Sequence, residues 1–214
     1  MTTSIVLIRH GETAWNAERR LQGHIDIALN DEGLRQAGAL AVALAAERFD
    51  AVISSDLQRA HQTAHAVAGL QGIPLLTDAR LRERCFGGFE GLLYSEIEQR
   101  FPREFAAWQA RDVDSVMPPG ARAGETFRQF YDRCVGAIAA HAGKHPGKKL
   151  ALVAHGGVLE CAYRAARAMS LTTPRDFKVL NASINRFIFA DGKLTLVSWG
   201  EVGHLERGVL DELN

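Results

Sequence analysis

With 214 residues, 47% of them hydrophobic, the chain is long enough to bury a substantial core as one large or two small domains, which argues against a disordered or fibrous protein. Lys and Arg number 25 and Asp and Glu also 25, so no surplus positive charge is available to cover a polyanion, and both nucleic acid and anionic membranes are disfavoured as partners. Three widely spaced cysteines, Cys85, Cys134 and Cys161, point to reduced thiols rather than disulfides or a structural zinc site.

Short β-type runs alternate with helical patterns along the chain, which predicts a mostly parallel sheet with helices on both faces. Residues 4–8 (SIVLI) read as a buried central strand that stops at Arg9-His10-Gly11. No basic segment precedes that run, and the most apolar uncharged stretch, 36–46, is far shorter than the roughly 20 residues of a bilayer span. A cytoplasmic protein without a secretory leader is the expectation. After a polar stretch from 12 to 30, Asn30 caps a helix with Asp31 and Glu32 in its first turn and an apolar stripe of Leu34, Ala37, Leu40, Ala41, Leu44 and Ala45. A second strand at 51–53 runs into Ser54-Ser55-Asp56, any of which can cap the next helix. Residues 75–77 suggest a third strand.

The region 81–124 reads as an irregular excursion over the sheet edge, lid-like from about 84 to 124. A helix over about 125–142 leads to a buried strand at 150–154 that stops at His155-Gly156-Gly157, and helix signals resume at once. Runs at 184–189 and 194–199 flank Asp191-Gly192, a two-residue hairpin signal. No repeat or linker divides the chain, so a single domain over 1–214 is expected.

Two apolar strands therefore end in His-Gly. In open parallel sheets ligands bind beyond the carboxyl ends of the strands, so His10 and His155 would share one crevice if their strands are neighbours. Arg9 directly follows four apolar strand residues and needs an anionic partner if buried. Arg59 falls on the first turn of the helix after the second strand, where its guanidinium fork suits phosphate. Together these residues suggest a phosphoryl pocket. His61 and His65, four apart, have metal-ligand spacing but no accompanying carboxylate motif and read as helix-surface histidines. Asp112-Val113-Asp114 follows no apolar strand and reads as a loop or helix end. The segment Gly87 to Gly91 lacks the spacing of a dinucleotide site.

The ordered set of Arg9-His10-Gly11-Glu12-Thr13, Asn16, Gln22-Gly23, Leu29, Ser54 to Ala60, Leu81-Arg82-Glu83 with Gly87 to Gly91, His155-Gly156-Gly157, Asn181-Ala182-Ser183 and His204-Leu205 resembles the histidine phosphatase superfamily. The resemblance implies a three-layer α/β/α fold of the phosphoglycerate mutase type. It implies that His10 is the nucleophile, that Arg9, Arg59 and His155 hold the phosphoryl oxygens, and that Glu83 is the general acid. Asn16, Gln22, Gly23 and Gly156 fall at positions that contact phosphate or substrate. No metal or other cofactor is implied. For Glu83 to carry a proton near neutral pH, burial and the substrate's charge must favour its neutral form. His24 departs from the aromatic residue that many relatives carry there, which bears on the shape of the substrate mouth.

Arg84, Arg100, Arg103, Arg111 and Arg122 are scattered through the excursion rather than clustered, which favours hydrolysis over a mutase that must embrace a bisphosphate. The expected function is a metal-independent phosphomonoesterase acting on a small phosphorylated substrate. A phosphoglycerate mutase is the alternative, and a binding module with little catalysis is a third reading. A homodimer is left open.

Overall fold

The computed structural model describes residues 1–205 and 208–211. Its strands are β1 (Thr3–Arg9), β2 (Ala51–Ser54), β3 (Leu75–Thr77), β4 (Lys149–Ala154), β5 (Ile184–Ala190) and β6 (Lys193–Glu201). Its helices are α1 (Ala14–Ala17), α2 (Asp31–Ala43), α3 (Gln58–Gln71), α4 (Tyr94–Arg100), α5 (Pro102–Gln109), α6 (Phe127–Lys144) and α7 (Gly156–Arg167). The strands form one sheet in the order β3-β2-β4-β1-β5-β6, parallel from β3 to β1 and antiparallel across β5 and β6.

Alternation of side chains on the central strands divides the core in two. Ile5, Leu7, Ile53, Leu150 and Leu152 pack with Phe130, Cys134, Ile138, Leu159 and Ala162 from α6 and α7. Val6, Ile8, Val52, Ala151 and Val153 pack on the opposite face with Leu40, Ala41, Ala60, Ala64 and Val67 from α2 and α3. Because β1 and β4 are covered on both faces, their sequences are continuous apolar runs rather than alternating ones. The result is a three-layer α/β/α arrangement with a mostly parallel sheet.

Local signals account for most element ends. The Asn30 side chain accepts the Gly33 N–H and caps α2, Thr126 and Gln129 form a capping box at α6, and the β5–β6 turn places both Asp191 and Gly192 at positive φ. Three sequence readings need correction. None of Ser54, Ser55 and Asp56 is the N-cap of α3: that position is Leu57, with no side-chain cap bond, because Asp56 is drawn into an ion pair with Arg82 at 2.6 Å and Asp26 takes the Gln58 N–H at 2.7 Å. Leu34 and Ala45, assigned to the apolar stripe of α2, are exposed, since the buried face runs through Gly33, Gln36, Ala37, Leu40 and Ala41 and the helix ends at Ala43. The excursion is not irregular throughout. It holds α4 and α5, and the aromatic residues Tyr94, Phe105 and Trp108 of these helices and Phe101 between them pack around a small core of Leu21, Phe89, Ile97 and Met117.

All three cysteines are buried free thiols. Among the described residues no helix is long and apolar enough to cross a membrane.

Candidate active site

Register decides which residues meet. Arg9 lies opposite Ala154 in the β1–β4 pairing, so the next residue on each parallel strand, His10 and His155, emerges at the same sheet edge. Their ring centroids are 5.2 Å apart in an edge-on arrangement, and the His10 N–H donates to the Ala154 carbonyl at 3.0 Å. Strand β2 ends there too, bringing Ser55 Oγ within 2.8 Å of His155 Nε2. Arg59, the second residue of α3, donates from Nη2 to the Gly23 carbonyl at 2.7 Å and from Nη1 to that of Ile25 at 3.0 Å. Arg9 donates from Nη1 to the Val179 carbonyl at 2.6 Å. These carbonyls pin both guanidinium groups, and all four side chains are at most 2% exposed.

The electrostatics of His10 follow from that packing. Burial is the largest cause, with Arg59 and Arg9 next, and together they hold its pKa well below the ordinary histidine value. The ring is therefore neutral at physiological pH. Nδ1 lies 2.6 Å from the Gly11 carbonyl, which can only accept, so Nδ1 carries the proton and the lone pair sits on Nε2. His155 is likewise held well below the ordinary value, by burial first and then by Arg59 and His10.

Both histidines are neutral when folded and gain protons on unfolding once the pH falls below their ordinary value of about 6.5. The unfolded chain then binds more protons than the folded one, so these two groups make stability fall as pH drops through and below that point, each by up to about 1.4 kcal/mol per pH unit. Urea unfolding at pH 7.5 and 5.5 checks this: replacing His155 by Gln should flatten the loss, and an unchanged pH slope would contradict it.

Glu83 is brought in from the excursion. Its Oε1 accepts the Arg84 N–H at 2.7 Å and its Oε2 accepts the Gly157 N–H in the first turn of α7 at 3.0 Å, so the carboxyl is held at two points. Its carbonyl accepts from His24 Nε2 at 2.8 Å and from Arg133 Nη2 at 3.1 Å. Gly157 is required for this approach: a Cβ there would overlap Glu83 Oε1 and lie 2.8 Å from Phe130 Cε1. Gly157→Ala should therefore displace the carboxyl and lower phosphoester turnover by about 10²-fold, the scale of a displacement near 1 Å. Steady-state kinetics with unchanged unfolding behaviour would check it, and wild-type turnover would refute it.

A cleft of about 460 Å³, its open mouth included, is lined by Arg9, His10, Asn16, Gln22, Gly23, Arg59 and Glu83. His155 and Gly156, both buried, are not among its lining residues. The residue after Gly23 is held by Glu90, whose Oε1 accepts the N–H groups of His24 and Phe86, each at 2.9 Å. Asn16 closes the capping box of α1 through Thr13. The signature left several supporting groups without a role. Asn181 Nδ2 donates to the His10 carbonyl at 3.0 Å, Thr63 Oγ1 accepts the Gly11 N–H at 3.0 Å, and Ser55 orients His155. Asn181 and Ser55 fall within motifs of the sequence, Asn181-Ala182-Ser183 and Ser54 to Ala60, whereas nothing there signalled Thr63. His61 and His65 stack on α3 with ring centroids 6.4 Å apart. Asp112 and Asp114 sit in the turn after α5, where Asp114 pairs with Arg128 at 2.7 Å.

A three-layer sheet that gathers two neutral histidines and two guanidinium groups at its carboxyl edge, with a carboxyl facing them, defines a phosphoryl-transfer enzyme as a class. Comparison with known proteins narrows this. Residues 5–202 match the family model of the histidine phosphatase superfamily, branch 1. The chain is 42% identical to phosphoglycerate mutase-like protein 4 of Arabidopsis thaliana over 206 residues, covering 95% of this chain and 87% of that one. It is 41% identical to a metal-independent phosphoserine phosphatase of the same plant over 206 residues, covering 95% and 83%. A phosphoserine phosphatase from Entamoeba histolytica, solved as a mutant with phosphoserine, superposes with a TM-score of 0.82 at 27% identity, covering 95% of this chain and 99% of that one. The chain belongs to the histidine phosphatase superfamily, and the protein is a phosphatase of that superfamily.

Proposed function

We propose that the protein hydrolyses small phosphate monoesters without a metal, through a phosphohistidine on His10. The observation that carries this reading is the tautomer fixed by the Gly11 carbonyl, which leaves a neutral, unprotonated Nε2 in a cleft bounded by Arg9 and Arg59. His10 Nε2 attacks phosphorus as the ester P–O bond breaks, and the departing alkoxide takes the Glu83 proton. Water then attacks the phosphohistidine and gives its proton to Glu83, releasing phosphate and restoring both residues. Arg9 and Arg59 stabilise the charge on the transferred group from positions already fixed, so no reorganisation accompanies the step.

His155 acts through its unused ring nitrogen. Ser55 Oγ accepts the Leu57 N–H at 3.3 Å, leaving its own proton for His155 Nε2. The imidazole proton then lies on Nδ1, which has no hydrogen-bond partner among the described residues and is offered to a phosphoryl oxygen. Gly156 adds a backbone N–H at the start of α7. Asn16, Gln22 and Gly23 complete the contacts to the phosphoryl group, and the excursion at 84–124, which supplies Phe86 and Tyr94 to the cleft, covers it as a lid-like flap of the same domain. The buried free thiols support a reducing compartment such as the cytoplasm.

A panel of phosphate monoesters assayed with and without a chelator tests the reading, with 3-phosphoglycerate isomerisation followed alongside after priming with 2,3-bisphosphoglycerate. Chelator-insensitive release of phosphate is expected. Isomerisation without release would establish the mutase instead.

A further inference from the structure

A second cavity, of about 670 Å³ with its open mouth included, shares Glu83, Leu21, Phe86 and Tyr94 with the phosphoryl cleft but does not include His10. A proton donor for the leaving group must stand beside the ester oxygen, so whatever lies past Glu83 is placed to receive the rest of the substrate. The walls here include Phe86, Tyr94, Trp108 and Phe127, and the charged residues among the lining are Arg84, Arg111 and Arg175 with Glu83, Asp112 and Glu160.

Arg84 is the most telling. It is 4% exposed, its Nε donates to the Glu125 carbonyl at 2.9 Å, and its Nη2 makes no hydrogen bond among the described residues. Its guanidinium lies 5.4 Å from the Phe86 ring centre and 5.8 Å from that of Phe127, and it enters no ion pair among the described residues. Burial without a paired anion pushes its pKa down to about 10. Arg111, 5.3 Å from the Phe127 ring centre, donates to Glu160 at 2.5 Å. That one carboxylate also meets Arg164 at 2.8 Å and Arg175 at 4.0 Å. Two of the excursion's arginines, Arg84 and Arg111, thus come together with Arg164 and Arg175 from beyond it.

We infer that this cavity is the leaving-group site and that Arg84, aided by Arg111, selects esters whose leaving group carries a carboxylate. This rests on the phosphatase reading above. A buried guanidinium donor left without an acceptor is costly, and a planar carboxylate answers it with two parallel hydrogen bonds. The aromatic rings exclude water from that pair, which strengthens it and penalises a neutral hydroxyl in its place.

The test compares 3-phosphoglycerate with glycerol 3-phosphate, which differ by a carboxylate against a hydroxymethyl group, and includes p-nitrophenyl phosphate as a general phosphatase probe. Wild-type kcat/KM should favour 3-phosphoglycerate by about 10- to 10²-fold, the worth of a charge-assisted hydrogen bond. Arg84→Gln and Arg111→Gln should each shrink that ratio, with Arg84→Lys restoring part of it. Should Arg84→Gln fail to fold, the wild-type ratio and Arg111→Gln still decide the matter. Equal kcat/KM for the two esters in an enzyme that cleaves p-nitrophenyl phosphate would overturn the inference and leave the phosphatase intact. A preference for 2,3-bisphosphoglycerate over 3-phosphoglycerate would overturn it in favour of a second phosphoryl group. Failure to cleave any of these esters would instead bring down the phosphatase reading on which it stands.

Discussion

Replacing His10 by alanine is expected to lower phosphoester turnover by about 10⁶-fold, the scale on which losing a covalent nucleophile is felt when the remaining site is intact. The size follows from the absence of a substitute. The other imidazole at the sheet edge, His155, lies outside the lining of the cleft and is engaged through Nε2 by Ser55. Rapid quench with ³²P-labelled substrate should trap an acid-labile, base-stable adduct on the wild type and none on His10→Ala. The same measurement separates catalysis from mere binding, because a binding module forms no covalent adduct. Turnover retained within tenfold by His10→Ala would eliminate the phosphohistidine route.

Glu83→Gln should lower turnover of an alkyl phosphate by about 10²- to 10⁴-fold, and that of an activated aryl phosphate much less, since an acidic phenol departs without a proton. Two effects add here. The amide cannot deliver the proton, and it cannot accept from both Arg84 N–H and Gly157 N–H as the carboxyl does, because one of its two positions is an NH₂ donor. The contrast between leaving groups isolates the first effect. An equal loss on both esters would assign Glu83 to positioning alone.

Much of the architecture was legible because its determinants are local. The apolar runs of β1 and β4, the Asn30 cap and the Asp191-Gly192 turn each specify their element from a few adjacent residues. Reading α4 and α5 was harder: their apolar residues face a satellite core built on Leu21 and Phe89, so the pattern is intelligible only once the segment around Leu21 is in place. The cap of α3 was misread for a related reason, since Asp56 has a strong partner, Arg82, in a later segment. Within the site, Arg9, His10, Arg59, Glu83 and His155 announced themselves through motifs. The carbonyl that fixes the tautomer of His10, the hydroxyl of Ser55 and the convergence of Arg84 with Arg111 and Glu160 depend on distances between remote segments, and one-dimensional spacing carries none of that. In particular, of the excursion's five arginines, dispersed along the chain, Arg84 and Arg111 line one cavity in space.

The one-residue alignment of Arg9 with Ala154 carries a consequence for how activity is acquired. Side chains alternate faces along a strand, so a slip of a single position between β1 and β4 would separate the histidines and bury polar groups in both halves of the core. Because β1 and β4 are separated in the chain by the whole excursion, bringing the two histidines together requires a long-range strand pairing. During refolding, recovery of turnover should coincide with completion of the central sheet, which makes the enzyme its own reporter of correct strand pairing.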